Sequence, residues 1–330
     1  MLDASDDHAH HAAMAADAWI LTEAYAGLQA QVLGLAEAMG IAPQLIELTP
    51  RAPYNMIAAS MWPNPLTAVG MKQPPSGLLF TAGGTAAAVG AALRKPGTQV
   101  VQVQNPRMNL RKFDLVVANT HDEITGPNVI TVRTALHRAS PARLAAARKQ
   151  WSTHFANLPR PLVAVLVGGS NGRFKLEAEQ GASLGRSLAA LMARDKVGLM
   201  LTTSRRTSPA ATEALKRALT PFGAYIWSGT GENPYFGMLA CADMIIATID
   251  SISMVSEAVA TSAPVLLAEL PGKSRRNYLF LKELLDAGRV RHFFGKMDWW
   301  PVHPMDDTAI AAGEVRRRLA MEGRKEGLLF

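Results

Sequence analysis

One unit recurs along this 330-residue chain and constrains it more than any other feature: a short aliphatic run, a loop of small and polar residues, then a segment with apolar residues at helical spacing. It begins with "AWILTEAYAG", followed by "LQAQVLGLAEAMG" and a terminating Gly40. The stretches "PQLIELT", "SGLLFTAGGTAAAVGAAL", "TQVVQVQNPR", "FDLVVANTHDE" and "NVITVRTAL" read as further strands, and their near-continuous apolar runs suit a parallel sheet covered on both faces. Residues 50–75, bounded by prolines, form an irregular excursion. "SPARLAAARKQWSTHFANL" predicts a helix capped by Ser140 with Pro141 at its first position, ending at "PRP". The pattern restarts at "PLVAVLVGGSNG" and runs through "VGLMLTTS", "AYIWSG", a short helix around "NPYFGMLACA", "ADMIIATIDSISMVSEAVATSAPVLL" and "RRNYLFLKELLDAG" to a last strand, "RVRHF". The prediction is an α/β protein of two doubly wound, Rossmann-like domains facing a cleft, with ligand sites beyond the carboxyl ends of the strands. The expected boundaries are a flexible arm over 1–16, a first domain over 17–158, a second over 159–308, and a C-terminal helix and tail over 309–330.

With 48% hydrophobic residues the chain can bury a large core. No apolar run approaches the roughly 20 residues that span a bilayer, and the first residues lack the basic-then-apolar order of a signal peptide. The expected location is the cytoplasm, with room for a peripheral association with the inner membrane. The single cysteine, Cys241, sits in "LACADMII" and reads as a packed hydrophobe rather than a nucleophile. A formal charge of +7 favours anionic partners. The basic residues cluster only at "RKPGTQ", "SRRTS", "GKSRR" and "VRRRLAMEGRKEG", and no run interleaves aromatics for base stacking, so nucleic acid is not expected. His8, His10 and His11 can catch a metal adventitiously, but their polar, alanine-rich setting favours disorder.

Three loops of the second half carry residues suited to a phosphorylated ligand. "GGSNGRF", from Gly168 to Phe174, follows an apolar strand; its glycines let a ligand approach the backbone, and successive amides ahead of a helix form an anion site. Such turns are also common in α/β folds where nothing binds. "TTSRRTS" places Arg205, Arg206 and Thr207 at the next strand end, and paired guanidinium forks suit phosphate. Asp250 to Ser253 lie where strand becomes helix, within the positive field of the helix start. Ser253 and Glu257 share a helix face about 6 Å apart along the axis, roughly the span from a diphosphate to ribose hydroxyls, so Glu257 can accept from a ribose diol. An acid early in a helix also complements the dipole without any ligand; the convergence of three loops on one edge favours the ligand.

The segments "VLVGGSNG", "LTTSRRTSP", "GENPYFGMLACADMIIATIDSISMVSEAVATSAPVLL", "FDLVVANTHDE" and "NVITVRTALHR" resemble the elongated-mitochondria fission-protein family and its bacterial members. That family is similar in turn to GT-B glycosyltransferases, and "GGSNG" and "ADMIIATIDSISMVSEA" resemble loops of those that add N-acetylglucosamine to lipid-linked peptidoglycan precursor. The resemblance implies that Glu257 holds the donor ribose, that Ser251, Ser253 and Met254 with Gly169, Ser170 and Asn171 meet the diphosphate, and that Tyr235 lies near the base. It implies that Gly27 and Gln31, on the first helix, face an acceptor. The first strand-end loop, "TEAYAGLQAQ", departs from the Gly-Gly-His pattern that supplies a base in the peptidoglycan enzymes. Glu23 and the pair His121 and Asp122 are therefore the candidates for catalysis, Asp122 orienting His121; ordinary loop roles remain equally open.

The expected activity is transfer of a sugar from a nucleotide-sugar donor to a glycan, lipid-linked or other cell-envelope acceptor. The alternatives are a nucleotide-sugar epimerase or hydrolase, and a non-catalytic interaction protein. No Asp-x-Asp motif or zinc spacing is present, so no metal and no obligatory cofactor are expected, helix dipoles and arginines serving the leaving diphosphate instead. "YLFLK" fits a Tyr-x-x-x-Lys dehydrogenase spacing, but the first turn lacks the glycine fingerprint a dinucleotide needs, and Tyr278 is expected to pack. "KMDWWPVHP" and the basic C-terminal tail are candidates for contact with an anionic membrane; packing is the preferred role for the tryptophans.

Overall fold

The computed structural model describes the backbone of residues 18–227 and 229–326, with side chains through residue 320. The predicted arm with His8, His10 and His11 lies outside the described residues, as do the side chains of the basic tail beyond residue 320; Arg317 and Arg318, before that point, pair with Glu314. The first part of the chain forms β1 (Ala18–Thr22), α1 (Ala26–Ala38), β2 (Gln44–Glu47), α2 (Pro65–Val69), β3 (Gly77–Ala82), α3 (Gly84–Leu93), β4 (Thr98–Val103), β5 (Leu115–Asn119) and β6 (Val129–Val132). The run "SGLLFTAGGTAAAVGAAL", expected as strand, is strand only to Ala82. It turns at Gly83, whose φ of +96° a side chain would strain, and the alanine-rich remainder takes the helix that alanine favours.

There follow α4 (Pro141–Trp151), β7 (Leu162–Val167), α5 (Ala178–Asp195), β8 (Gly198–Thr203), α6 (Pro209–Leu219), β9 (Tyr225–Ile226), α7 (Tyr235–Cys241), β10 (Met244–Thr248), α8 (Ile252–Val259), β11 (Val265–Ala268), α9 (Arg275–Asp286), β12 (Val290–His292) and α10 (Thr308–Glu326). Ser140 caps α4 by accepting from the Arg143 amide at 3.3 Å, and Ser208 caps α6 in the same way. Among the described residues the strands make two six-stranded sheets, paired in parallel throughout, in the orders β2-β1-β3-β4-β5-β6 and β12-β11-β10-β7-β8-β9.

These orders locate the sites. In each sheet the strand sequence runs outward in both directions from one pair, β1 and β3 in the first and β7 and β10 in the second. At such a reversal the flanking loops part and leave room for a ligand at the strands' carboxyl ends. Glu23 and the Gly83 turn stand at the first of these points, and Gly168 and Asp250 at the second.

The chain divides into two compact units, Met1–Arg138 with Asp307–Phe330, and Ala139–Asp306. The division falls 20 residues before the expected boundary at 158, and the C-terminal helix rejoins the first unit. Packing explains both differences. Trp151 of α4 stacks on Phe155 and lies where a side chain at Gly237 of α7 would stand, so α4 belongs to the second core. Ala311, Ala312, Val315 and Leu319 of α10 are buried beside Val32, Leu35 and Ala36 of α1. Asp307 fixes the return. Its carboxylate accepts from the Arg133 amide at 2.6 Å, from the Arg133 guanidinium at 2.8 Å and from the Thr134 amide at 3.3 Å.

Burial alone would raise the Asp307 carboxyl, but these donors outweigh it and hold the group below its ordinary value. Its stabilising contribution is therefore present above the unfolded carboxyl value near 4 and is lost as the pH falls below that. Asp307→Asn is expected to lower unfolding stability at pH 7 by about 1–3 kcal/mol, the worth of hydrogen bonds to a charged group. Urea denaturation should show the difference from the parent chain shrinking below about pH 4.

Candidate functional site

The second unit's reversal point is organised by one carboxylate. Asp250 follows β10, and its side chain is fully buried. Its Oδ1 accepts from Thr248 Oγ1 at 2.7 Å, and its Oδ2 accepts from the Gly169 amide at 3.0 Å and from Arg206 Nη2 at 2.9 Å. Thr248 Oγ1 in turn accepts from the Gly168 amide at 2.8 Å, and Arg206 Nη1 donates to the Gly169 carbonyl at 2.9 Å. Thr207 Oγ1 closes the ring on the Gly168 carbonyl. The loops after β7, β8 and β10 are thus tied to one another through a single acid.

The two glycines have a steric cause. A Cβ on Gly168 would lie 2.2 Å from both Asp250 carboxylate oxygens, and one on Gly169 would lie 2.2 Å from the Arg206 carbonyl carbon. Neither approach is possible with a side chain present. The sequence reading gave these glycines, and Asp250 itself, to the diphosphate; in the structure their polar groups are engaged with one another and with neighbouring loop residues. The amides of Gly168 and Gly169 are spent on Thr248 and Asp250, and the Asn171 amide donates to the Phe174 carbonyl at 3.0 Å. Ser170 Oγ donates to Glu177 Oε1 at 2.8 Å, and Asn171 Oδ1 receives the Arg173 and Phe174 amides. The loop is held from within, and Asp250 is its anchor.

Around this clamp lie the other groups the sequence reading gave to a ligand. Arg205 is exposed and makes no ion pair among the described residues. α8 starts at the clamp with Ser251 as its cap, accepting from the Met254 amide at 3.4 Å, and it carries partly buried Ser253 and Met254 in its first turn. Glu257, on the same helix, is buried, and Tyr235 Oη donates to its Oε2 at 2.5 Å. Burial, and then the Glu257 charge, push the Tyr235 phenol well above its ordinary value, so it remains a donor.

Other residues of this site were not singled out in the sequence. Thr248 reads there only as the last residue of a strand. Asn277 Nδ2 donates to the Ile249 carbonyl at 2.9 Å, fastening α9 beneath the clamp. Arg289, 97% buried, donates to the carbonyls of Val259, Thr261 and Ala263 at 2.8–3.2 Å, and so holds the C-terminal end of α8. Burial lowers its guanidinium to about 10, which leaves it charged at neutral pH. Nothing in its local sequence distinguishes it from a surface arginine. A cavity of 490 Å³ lined by Glu179, Ser183, Leu184, Leu270 and Phe293 shares no residue with the clamp.

In the first unit, Glu23 Oε1 accepts from the Thr85 amide at the start of α3 at 3.1 Å. Its Oε2 is buried without a hydrogen bond, in the space a Gly83 side chain would need. Asp122 Oδ2 accepts from the Asn119 amide at 3.3 Å, capping the turn that carries buried His121. Gln31 is buried; its amide donates to the Gly27 carbonyl at 3.1 Å and its oxygen accepts from Gln104 at 3.0 Å, so it serves packing within the unit.

Two further expectations are corrected. Tyr278 is 63% exposed, because the buried stripe of α9 is Asn277, Phe280, Leu281 and Leu284. Of the tryptophan pair, Trp300 packs as expected, donating to the Gly288 carbonyl beneath the Arg291 guanidinium, whereas Trp299 is half exposed. Cys241 is buried, as its sequence indicated, and burial raises its thiol.

The fold is shared with UDP-GlcNAc 2-epimerases. The Methanocaldococcus jannaschii structure, in complex with UDP-GlcNAc and UDP, superposes with a TM-score of 0.54 and 12% identity, covering 92% of this chain and 99% of that one. The Neisseria meningitidis structure, bound to UDP-GlcNAc, gives 0.53 and 12%, covering 91% and 99%. The class is therefore the GT-B-like α/β fold. The family model described as mitochondrial fission ELM1 matches residues 26–319, and the chain belongs to that family. The mitochondrial fission protein ELM1 of Arabidopsis thaliana is 32% identical over 251 residues, which are 68% of this chain and 58% of the plant protein.

The clamp gives a direct prediction. Asp250→Ala leaves Arg206 and the Gly169 amide without their acceptor and is expected to cost about 2–4 kcal/mol, less than for a fully buried pair because Arg206 is 41% exposed. Chemical denaturation measures this, and Arg206→Met, which leaves the fully buried carboxylate without its cation, should cost at least as much.

Proposed function

We propose that the chain binds a nucleoside-diphosphate sugar at the carboxyl edge of the second sheet and transfers the sugar to an acceptor held by the first unit. The observation that carries the reading is the Asp250 clamp at the β7/β10 reversal, from which α8 departs carrying Glu257. In this reading Arg205 and the opening amides of α8, with Ser253, meet the diphosphate, and the helix dipole favours the charge that grows on the leaving group. Glu257, held by Tyr235, accepts from the ribose diol. Asp250, Arg206 and Thr207 set the positions of these groups without touching the ligand.

For the acceptor we assign the base to Glu23. Its Oε1 is fixed by Thr85, and Oε2 has no hydrogen bond to give up before taking a proton. The Asp122 carboxylate is occupied in part by the Asn119 amide, which speaks against a dedicated role in orienting His121.

A second reading, epimerisation of the bound nucleotide sugar, is favoured by the likeness to the two 2-epimerase folds. Incubation with UDP-sugars, with and without a lipid extract, separates the two readings. Acceptor-dependent release of nucleoside diphosphate is expected; isomerised donor without acceptor would replace transfer by epimerisation. Absence of nucleotide binding would leave only an interaction role, as the family's name suggests.

Two sets of variants test the assignments. By calorimetry with UDP, Glu257→Ala should weaken binding at least about tenfold, and Tyr235→Phe about fivefold through loss of one hydrogen bond. Glu23→Gln keeps an oxygen for the Thr85 amide, so stability and UDP binding should be unchanged while turnover falls by about 100-fold. An unimpaired Glu23→Gln enzyme would remove Glu23 from catalysis.

A further inference from the structure

Charge in this chain is concentrated. Its 34 Lys and Arg exceed its 27 Asp and Glu by seven, and residues 48–113 hold seven Lys and Arg and no acid at all, so the remainder of the chain balances to zero. All seven of these cations are exposed. Arg94 is paired with Asp114, the first acid after the stretch.

Within this stretch the excursion over 50–75 is firmly built. Two short 3-10 turns, Tyr54–Met56 and Ala59–Met61, fold around Trp62. The Trp62 ring is buried, and its indole N–H donates to the Tyr54 carbonyl at 3.0 Å and to the Ile57 carbonyl at 3.3 Å. The ring packs with Ala68 of α2 and Ala88 of α3, and Met108 joins them from the loop after β4. This anchor turns the neighbouring side chains outward: Met56 is 83% exposed, Met61 72% and Ile57 47%. A single exposed aliphatic side chain needs no explanation, but three within six residues on an anchored turn form a patch that has a use.

The cations nearest in the chain stand at its edges. Arg51 opens the excursion with its side chain against Gly70, Lys72 closes it, and Arg107 adjoins the Met108 that packs on Trp62. No aromatic ring of the patch is exposed for stacking on a base, since Trp62 is buried and Tyr54 partly so. Exposed apolar tips on a stretch whose charged residues are all exposed cations, with no acid between them, match one surface, in which phosphates overlie hydrocarbon.

We propose that this face of the first unit docks on an anionic phospholipid bilayer, with Met56, Ile57 and Met61 entering the interface and Arg51, Lys72 and Arg107 meeting headgroup phosphates. Apolar insertion and a basic surface are the two signals that together give stable peripheral association. This surface is separate from "KMDWWPVHP" and the tail, where the sequence had suggested membrane contact, and it stands without the nucleotide reading.

Vesicle flotation of the full chain tests the proposal, comparing phosphatidylglycerol–phosphatidylcholine vesicles with phosphatidylcholine alone at near-physiological salt. The bound fraction should be at least about tenfold higher on the anionic vesicles and should fall steeply as salt is raised. Met56→Asp with Met61→Asp should abolish most of it, as should Lys72→Glu with Arg107→Glu, while melting temperature and UDP binding stay unchanged because all four side chains are exposed. Equal retention on neutral vesicles, or full retention by either double variant, would overturn the proposal. So would binding of a single-stranded RNA homopolymer through the same residues with no retention on vesicles.

Discussion

The Asp250 carboxylate is the interaction on which the second unit's site depends. A buried carboxylate is costly unless its oxygens are fully used, and here they are used on a hydroxyl, an amide and a guanidinium supplied by three loops. The cost of burying the charge is offset only when all three loops are in place, so the acid enforces their mutual position. It also explains the paired glycines. The same 2.2 Å approaches that exclude a Cβ at positions 168 and 169 bring the β7 loop close enough to be held.

Both sheets reverse their strand order, yet the two reversal points are filled differently. In the second unit an acid is buried beneath the loops and bonded to all of them. In the first, Glu23 lies against the Gly83 turn with one oxygen on an α3 amide and the other without a donor. Glu23 thus has one oxygen engaged and capacity for one more hydrogen bond at the other. The second unit's arrangement is suited to holding backbone in place, whereas the first unit's leaves one carboxylate oxygen uncommitted.

The doubly wound pattern was legible because aliphatic strands and small-residue loops alternate locally, and local order is what a sequence displays. Arg205, Arg206 and Asp250 were recognisable as strand-end residues for the same reason. Their division of labour was not, since Arg206 and Asp250 are 44 residues apart and only the strand order β10-β7-β8 brings them together. Two loops that look like ligand amides are therefore partly occupied by each other. The boundary at 158 misled because a Pro-Arg-Pro break resembles a linker, whereas Trp151 and Phe155 had already committed α4 to the second core. Likewise "TAGGTAAAVG" consists of small residues throughout, and only the Gly83 conformation separates its strand from its helix.

The charge balance around α8 sets what kind of anion the proposed site can hold. Arg206 is neutralised by Asp250, so for a diphosphate the formal positive charge at the rim falls to Arg205, supplemented by the N-terminal end of an eight-residue helix. The other end of that helix is capped by Arg289, whose Nη2 donates to the carbonyls of Val259, Thr261 and Ala263 and whose Nε also reaches Val259. With its C-terminal end compensated inside the protein, the helix has its N-terminal end left to complement. An anion bound there gains from a helix that is already fixed in position, so little ordering cost is set against the contact. Attraction in such a site comes more from oriented amides than from net charge, and its affinity should accordingly vary less with salt than that of the acid-free face of the first unit.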